Sequence, residues 1–507
     1  MKNILIKLKS ILLLVSTIVL VQSCELKSEI YDAINPLIFP TTAADVDALV
    51  TANAYGVFRN DGYSGIFNVA HGINTINDIC SDYGACSWAW SWDNLAYVQY
   101  EVSKQDLILQ QYEYMPFISK MTLTLDRIKN VQMDETVKAM YVAELRLGRG
   151  WLAMLLFDYY GGIVIADTET LKKPIAEINL PRMTNEQMVT YIETELSEAA
   201  KVLPYNYKKG DAKYGRFTKG LANTVLLKLY MHTKQWEKAE AMGRELMKSE
   251  YAYSLVPEYA DIFKLANEKN AEIIWAVQCK TGFQQHKWQP HILPNDYDYT
   301  PFLSSLTKWN GFKMTWDYFN TFDLNDKRRE TLIYDYTSKA GVHHSQENDA
   351  NNPSAQLYLG CIPLKYEIDP ATTGENSQVD WIVYRYADVL TLTAEAIVRN
   401  KGITSEAVDL LNQVRERALP SKGYKLSDFT NADQLLQAIL DERGWELYFE
   451  GARRTDLIRH GKYIDQIKAK AERKGMKTLV DETRYIYPFP QSWIDEGKGV
   501  IVQNPGY

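Results

Sequence analysis

Beyond its first two dozen residues, this 507-residue chain has no apolar run long enough to span a bilayer, which takes roughly 20 consecutive apolar residues. It has only five cysteines, none in a C-x-x-C pair, so the spacing of redox and zinc motifs is missing. The pair His343-His344 lacks a further ligand at recognisable spacing, which argues against a metal site. No G-x-S-x-G, P-loop or dinucleotide fingerprint occurs, and no organic cofactor is expected. Basic residues form no tract and the net charge is −8, which excludes a nucleic-acid binder. Glycoside hydrolysis needs two carboxylates at a set separation. Among 64 acidic residues no motif singles out such a pair, so no catalytic residue is assigned.

What is present begins at the N-terminus. Lys2, Lys7 and Lys9 precede an apolar stretch, Ile11 to Val21, that ends in Val21-Gln22-Ser23-Cys24. The stretch is too short to cross a membrane and reads as the h-region of a signal peptide that covers residues 1–23. A small residue before a cysteine at that place resembles the bacterial lipobox, although Gln22 departs from its usual small residue. The resemblance implies lipid attachment at Cys24, with fatty acyl chains anchoring the mature chain. Export permits disulfides. Cys80 and Cys86 lie close enough for a short loop, whereas Cys279 and Cys361 are too distant in sequence to judge, and free thiols remain an equal alternative.

Composition is globular, 46% hydrophobic and 24% charged, and rich in aromatics, with 34 Tyr and 12 Trp. Each of these rings joins a flat apolar face to a polar tip, which suits a wet stacking surface. Helical periodicity dominates. Apolar positions from Val137 to Phe157 form one stripe that Gly161-Gly162 stops. A second stripe, Met188 to Leu203, follows a Thr184/Gln187 capping-box pattern. Helix pairs are expected at residues 220–230 with 236–248, and at 387–399 with 405–418. Their short turns are similar to tetratricopeptide units. The expected fold is therefore mostly α, a tetratricopeptide-like helical-repeat scaffold with long irregular loop insertions and minor β. The Pro- and Asn-rich stretch from about Tyr251 to Asp380 supplies the main loops, where binding residues concentrate.

Three C-terminal segments carry a family resemblance. They are Tyr384 to Ala396 with Ala407 to Ala418, Asp441 to Gly461 (DERGWELYFEGARRTDLIRHG), and Tyr487 to Ser492 with Gln503 to Tyr507. Together they closely resemble the SusD/RagB outer-membrane lipoproteins of the Bacteroidota, and earlier segments agree in order. In residues 441–461 the charged side chains suggest ion pairs at helical spacing, with Trp445, Leu447, Phe449 and Leu457 buried and Gly451 breaking the helix. The resemblance implies an N-terminal helical region over residues 24–250 and a C-terminal region over 251–507 with the loop-rich insertion. It also implies a non-catalytic role at the outer membrane: capture of an oligosaccharide and delivery to a SusC-like TonB-dependent transporter. The alternatives are a peptide-binding RagB-like subunit and, further off, a surface hydrolase.

Candidate ligand-binding residues follow from the aromatics. Trp88, Trp90 and Trp92 alternate, so in an extended segment their indoles would point to one side. Tyr83, Asp93 and Asn94 lie nearby, and Asn94 or Asp93 can bond sugar hydroxyls; the alternative is a strand that packs its aromatic face into the core. In the long insertion the candidates are Trp288, Tyr297, Trp309 and Trp316, with His286 and Tyr299 beside them. Asp296 and Asp298 are weak candidates for a Ca²⁺ ion.

Overall fold

The computed structural model describes residues 39–89, 91–102, 106–173, 180–298, 306–370, 372 and 374–507. Cys24, Trp90 and Tyr299 lie outside the described residues.

Helices carry the architecture. They include α1 (Ala43–Val50), α2 (Ile73–Ile79), α3 (Pro116–Ile128), α4 (Glu135–Tyr160), α5 (Asn185–Ala200), α6 (Lys219–His232) and α7 (Trp236–Leu246). After the insertion come α8 (Tyr386–Lys401), α9 (Ser405–Ala418), α10 (Ala432–Glu446), α11 (Arg453–Arg459) and α12 (Tyr463–Arg473). The ends obey local chemistry. Gly161 adopts φ 69° and closes α4, and Thr184 and Gln187 complete a reciprocal capping box on α5.

Consecutive helices pack on one another in a stack, α4 on α5, α5 on α6, α6 on α7 and α8 on α9. The stack does not stop at the insertion, because α7 lies directly on α8, some 140 residues later. This junction requires Gly243. A Cβ there would sit 2.0 Å from Thr393 Oγ1 and 2.9 Å from its Cβ, so a side chain cannot enter without parting the helices. Gly243→Ala is expected to lower stability by about 1–3 kcal/mol, the usual cost of overpacking, despite alanine's better helix propensity. Denaturant unfolding measures it.

Strands are short. β1 (Gly84–Cys86), β3 (Phe312–Thr315) and β6 (Gly360–Cys361) form an antiparallel sheet in the order β1-β3-β6, with Gly84 opposite Met314 and Met314 opposite Cys361. β2 (Ile273–Val277) pairs with β7 (Trp381–Arg385), and β4 (Asp335–Thr337) with β5 (His343–Ser345). The first sheet matters for function because it fastens the segment after Cys86 to the insertion. Cys80, Cys86, Cys279 and Cys361 are free thiols.

The motif at residues 441–461 differs from its expected local pairing. Most of its charges are buried and reach distant partners, although Arg459 pairs with Asp456 at i,i+3. Glu442 binds Arg328 at 2.6 Å, Glu450 binds Arg385 at 2.7 Å, and Arg453 binds Asp82 at 2.7 Å. Arg443 binds Asp456 within the motif at 2.8 Å, whereas Glu446 is held by Arg385, Arg417 and Arg328. Helix α10 ends at Glu446, before Gly451 (φ 84°), and Trp445 is half-buried with Nε1 donating to Thr321 Oγ1.

Candidate functional site

Of the three expected indoles, Trp88 and Trp92 are described and they do not line up along an extended segment. Residues Ser91–Ala96 make a short helix, so Trp88 and Trp92 do not project side by side from a strand. Instead their rings meet edge to face, 5.8 Å apart, and Trp92 is buried against Phe312. Trp88 is half-buried, with Nε1 donating to the Trp309 carbonyl at 3.0 Å. That bond joins the first aromatic region to the long insertion. The close approach depends on Gly311, where a Cβ would lie 2.4 Å from Trp88 Cζ2.

Three other candidates sit inside the core, where no sugar face can reach them as the chain is folded. Tyr83 is fully buried between Tyr318 and Phe449, its hydroxyl donating to Asp78 at 2.7 Å and accepting from the Phe449 amide. Burial pushes the Asp78 carboxyl up to about 7, although the Tyr83 hydroxyl and the Gly451 amide pull it down. Trp288 packs on Phe449 and Trp381 and donates to the Leu364 carbonyl. Trp316 packs on Phe319 and donates to the Leu357 carbonyl. His286 is buried as well, and desolvation pulls it down to about 4.

What gathers at the surface is a different set. Trp309 is half-buried and stands edge-on to His291 at 4.8 Å, and His291 in turn meets Trp88 at 5.5 Å. Burial pulls His291 down to about 3, so a neutral imidazole separates the two indoles. On the other side, Lys287 Nζ lies 6.0 Å from the Trp309 ring centre and 4.4 Å from that of Tyr63. Tyr63 is 54% exposed, the most open ring of the group, and stacks on His71. Lys287 is neutralised by Glu375 at 2.7 Å, and nearby Arg59 by Asp61. The platform therefore runs from Tyr63 over Lys287 to Trp309, with Trp88 behind.

Its frame is backbone hydrogen bonding. The Trp309 amide donates to Pro290, Asn310 to Leu293, Gly311 to His291, and Ser87 to Gly311. Gly62 donates to Gln285, fastening the Tyr63 turn to the same insertion. Tyr297, half-buried, is tied in through its carbonyl, which accepts from Lys308 Nζ at 2.6 Å, and its ring meets Tyr336 edge to face. Asn94 is half-buried within the short helix. Asp296 spends one oxygen on the Tyr336 hydroxyl and the other on His344, which also binds Asp349. Sequence reasoning missed Tyr63 and Lys287, since their partnership spans over 200 residues and leaves no local pattern.

A helical-repeat scaffold that holds an open aromatic platform on its loops defines the class of protein. Residues 271–507 match the SusD family profile, and residues 40–231 match a second profile described as starch-binding associating with outer membrane. The chain belongs to the SusD family. A SusD-like protein, P25, of Formosa agariphila is 28% identical over 57% of this chain and 58% of its own length. The starch-binding protein SusD of Bacteroides thetaiotaomicron is 21% identical over 89% of this chain and 87% of its own. The surface glycan-binding protein A of Bacteroides thetaiotaomicron, solved in complex with laminarihexaose, has the same fold. Its TM-score is 0.73 at 20% identity, covering 92% of this chain and all of that one. No helix among the described residues is long and apolar enough to cross a membrane.

Proposed function

We propose that the protein captures oligosaccharides at the Tyr63–Trp309–Trp88 platform, without catalysing their cleavage, and hands them to a TonB-dependent transporter in the outer membrane. The observation that carries the reading is the set of aromatic rings held by backbone bonds at an open surface. Flat apolar faces cover the C–H faces of sugar rings, and polar neighbours bond the hydroxyls. Tyr297 and Asn94 extend the platform on its flanks. Family membership and relatives described as starch- or glycan-binding support the same ligand class.

Two acids beside the platform, Glu375 and Asp61, are held in ion pairs with Lys287 and Arg59. Neither is a free acid or base for hydrolysis, which supports a binding role. Lipid at Cys24 then tethers the domain beside its transporter, facing the cell exterior. On a glycan array the mature protein is expected to bind at least one oligosaccharide saturably and to release no shorter product on prolonged incubation. Retention of peptides alone, with no glycan, would overturn the reading.

A further inference from the structure

A second space, lined by none of Tyr63, Trp88, Lys287 and Trp309, opens among the helices. It is a cavity of about 370 Å³ between α4, α6, α8 and α11, within the range of small-molecule sites. Most of its wall is apolar, from Met154, Leu155, Met231, Leu392, Ile458 and Ile486. Two of these are methionines, whose flexible thioethers adapt to varied apolar shapes.

The charged groups of the inner wall are already matched. Lys228 meets Asp388 at 2.7 Å, Arg443 meets Asp456 at 2.8 Å, and Asp158 meets His232 at 3.1 Å. Asn74 and Asn77 also line it, and Asn74 Nδ2 and Asn77 Oδ1 have no hydrogen-bond partner among the described residues. At the mouth Lys234 is exposed, and its ammonium has no partner among the described residues. A hairpin-like turn after α6 holds it there with φ 59°.

We propose that this cavity binds a medium-chain amphipathic carboxylic acid, tail inward between the methionines and carboxylate at Lys234. An apolar wall of this size rewards burial of a tail. The single unmatched cation at the rim selects an acid over an alcohol, since a second charge deeper inside would find every partner taken. The inference is independent of the glycan reading and uses none of the platform residues.

Calorimetric titration of the mature chain with sodium octanoate and with 1-octanol tests it. Octanoate is expected to bind one to one and more tightly than 1-octanol. Lys234→Gln, at an exposed position outside the platform, is expected to weaken octanoate about fivefold, the scale of a partly exposed ion pair, and to leave 1-octanol unchanged. Met154→Trp, which fills the cavity, should abolish both, while Trp309→Ala should alter neither. The proposal is overturned if folded wild-type protein shows no saturable octanoate binding, if 1-octanol binds as tightly, or if Lys234→Gln leaves octanoate affinity unchanged.

Discussion

Trp309→Ala is expected to weaken oligosaccharide binding by about thirtyfold, the effect of losing a central aromatic anchor worth about 2 kcal/mol. Trp309 carries this weight because it lies at the middle of the platform, between Lys287 and His291, with its backbone fixed on both sides. Its ring is only half-buried. The fold should survive, with a melting shift of a few degrees at most. Tyr63→Ala should cost less, since that ring stands at the edge and is more open. Trp288→Ala is the informative control. It would empty core space and cost about 3–5 kcal/mol of stability, so any loss of binding there would accompany unfolding. Titration of each variant with the best array glycan, alongside its melting curve, separates the two cases. Unchanged affinity in Trp309→Ala would remove the platform assignment.

Glu446→Ala should lower stability by about 3–5 kcal/mol. Its carboxylate lies between Arg385, Arg417 and Arg328, all buried. Truncation leaves three guanidiniums short of one counter-charge in a dry interior, a far greater penalty than loss of a surface pair. The pH dependence follows. Burial alone would raise the Glu446 carboxyl, but Arg417, Arg385 and Arg328 outweigh it and hold it well below the usual range. Glu395 and Asp388 are depressed in the same way by their own cations. A depressed folded value means stability that is fully present above the unfolded carboxylate value, roughly 4, and lost as pH falls below it. Wild-type protein should therefore lose stability steeply below about pH 4. Glu446→Gln should show a shallower slope from a lower plateau. A drop of under about 1 kcal/mol for Glu446→Ala would contradict the network's role.

The helical scaffold was legible because its signals are local. Stripe periodicity, the Thr184/Gln187 box and Gly161 each act within a few residues, and α4 to α9 appear within a few residues of their expected bounds. The platform was only half legible. Trp88, Trp309 and Tyr297 were visible as aromatics in loops, but aromatic content does not separate a core ring from a stacking one. Tyr83 illustrates the ambiguity: its hydroxyl finds Asp78 five residues away, and that bond makes full burial affordable. The Trp88–Trp92 spacing misled because residues Ser91–Ala96 coil into a helix instead of extending. The charged motif misled in a similar way. Glu442, Glu446 and Glu450 sit at i,i+4 spacing, yet their partners Arg328, Arg385 and Arg417 come from elsewhere in the chain. Burial, not periodicity, chose them.

A crystal structure of the mature protein soaked with its tightest array glycan tests the central claim most directly. Sugar rings should lie over Trp309 and Tyr63, with hydroxyls within hydrogen-bond distance of the Lys287–Glu375 pair. A glycan seated on any other face of the molecule, with Trp309 and Tyr63 uncovered, would contradict it.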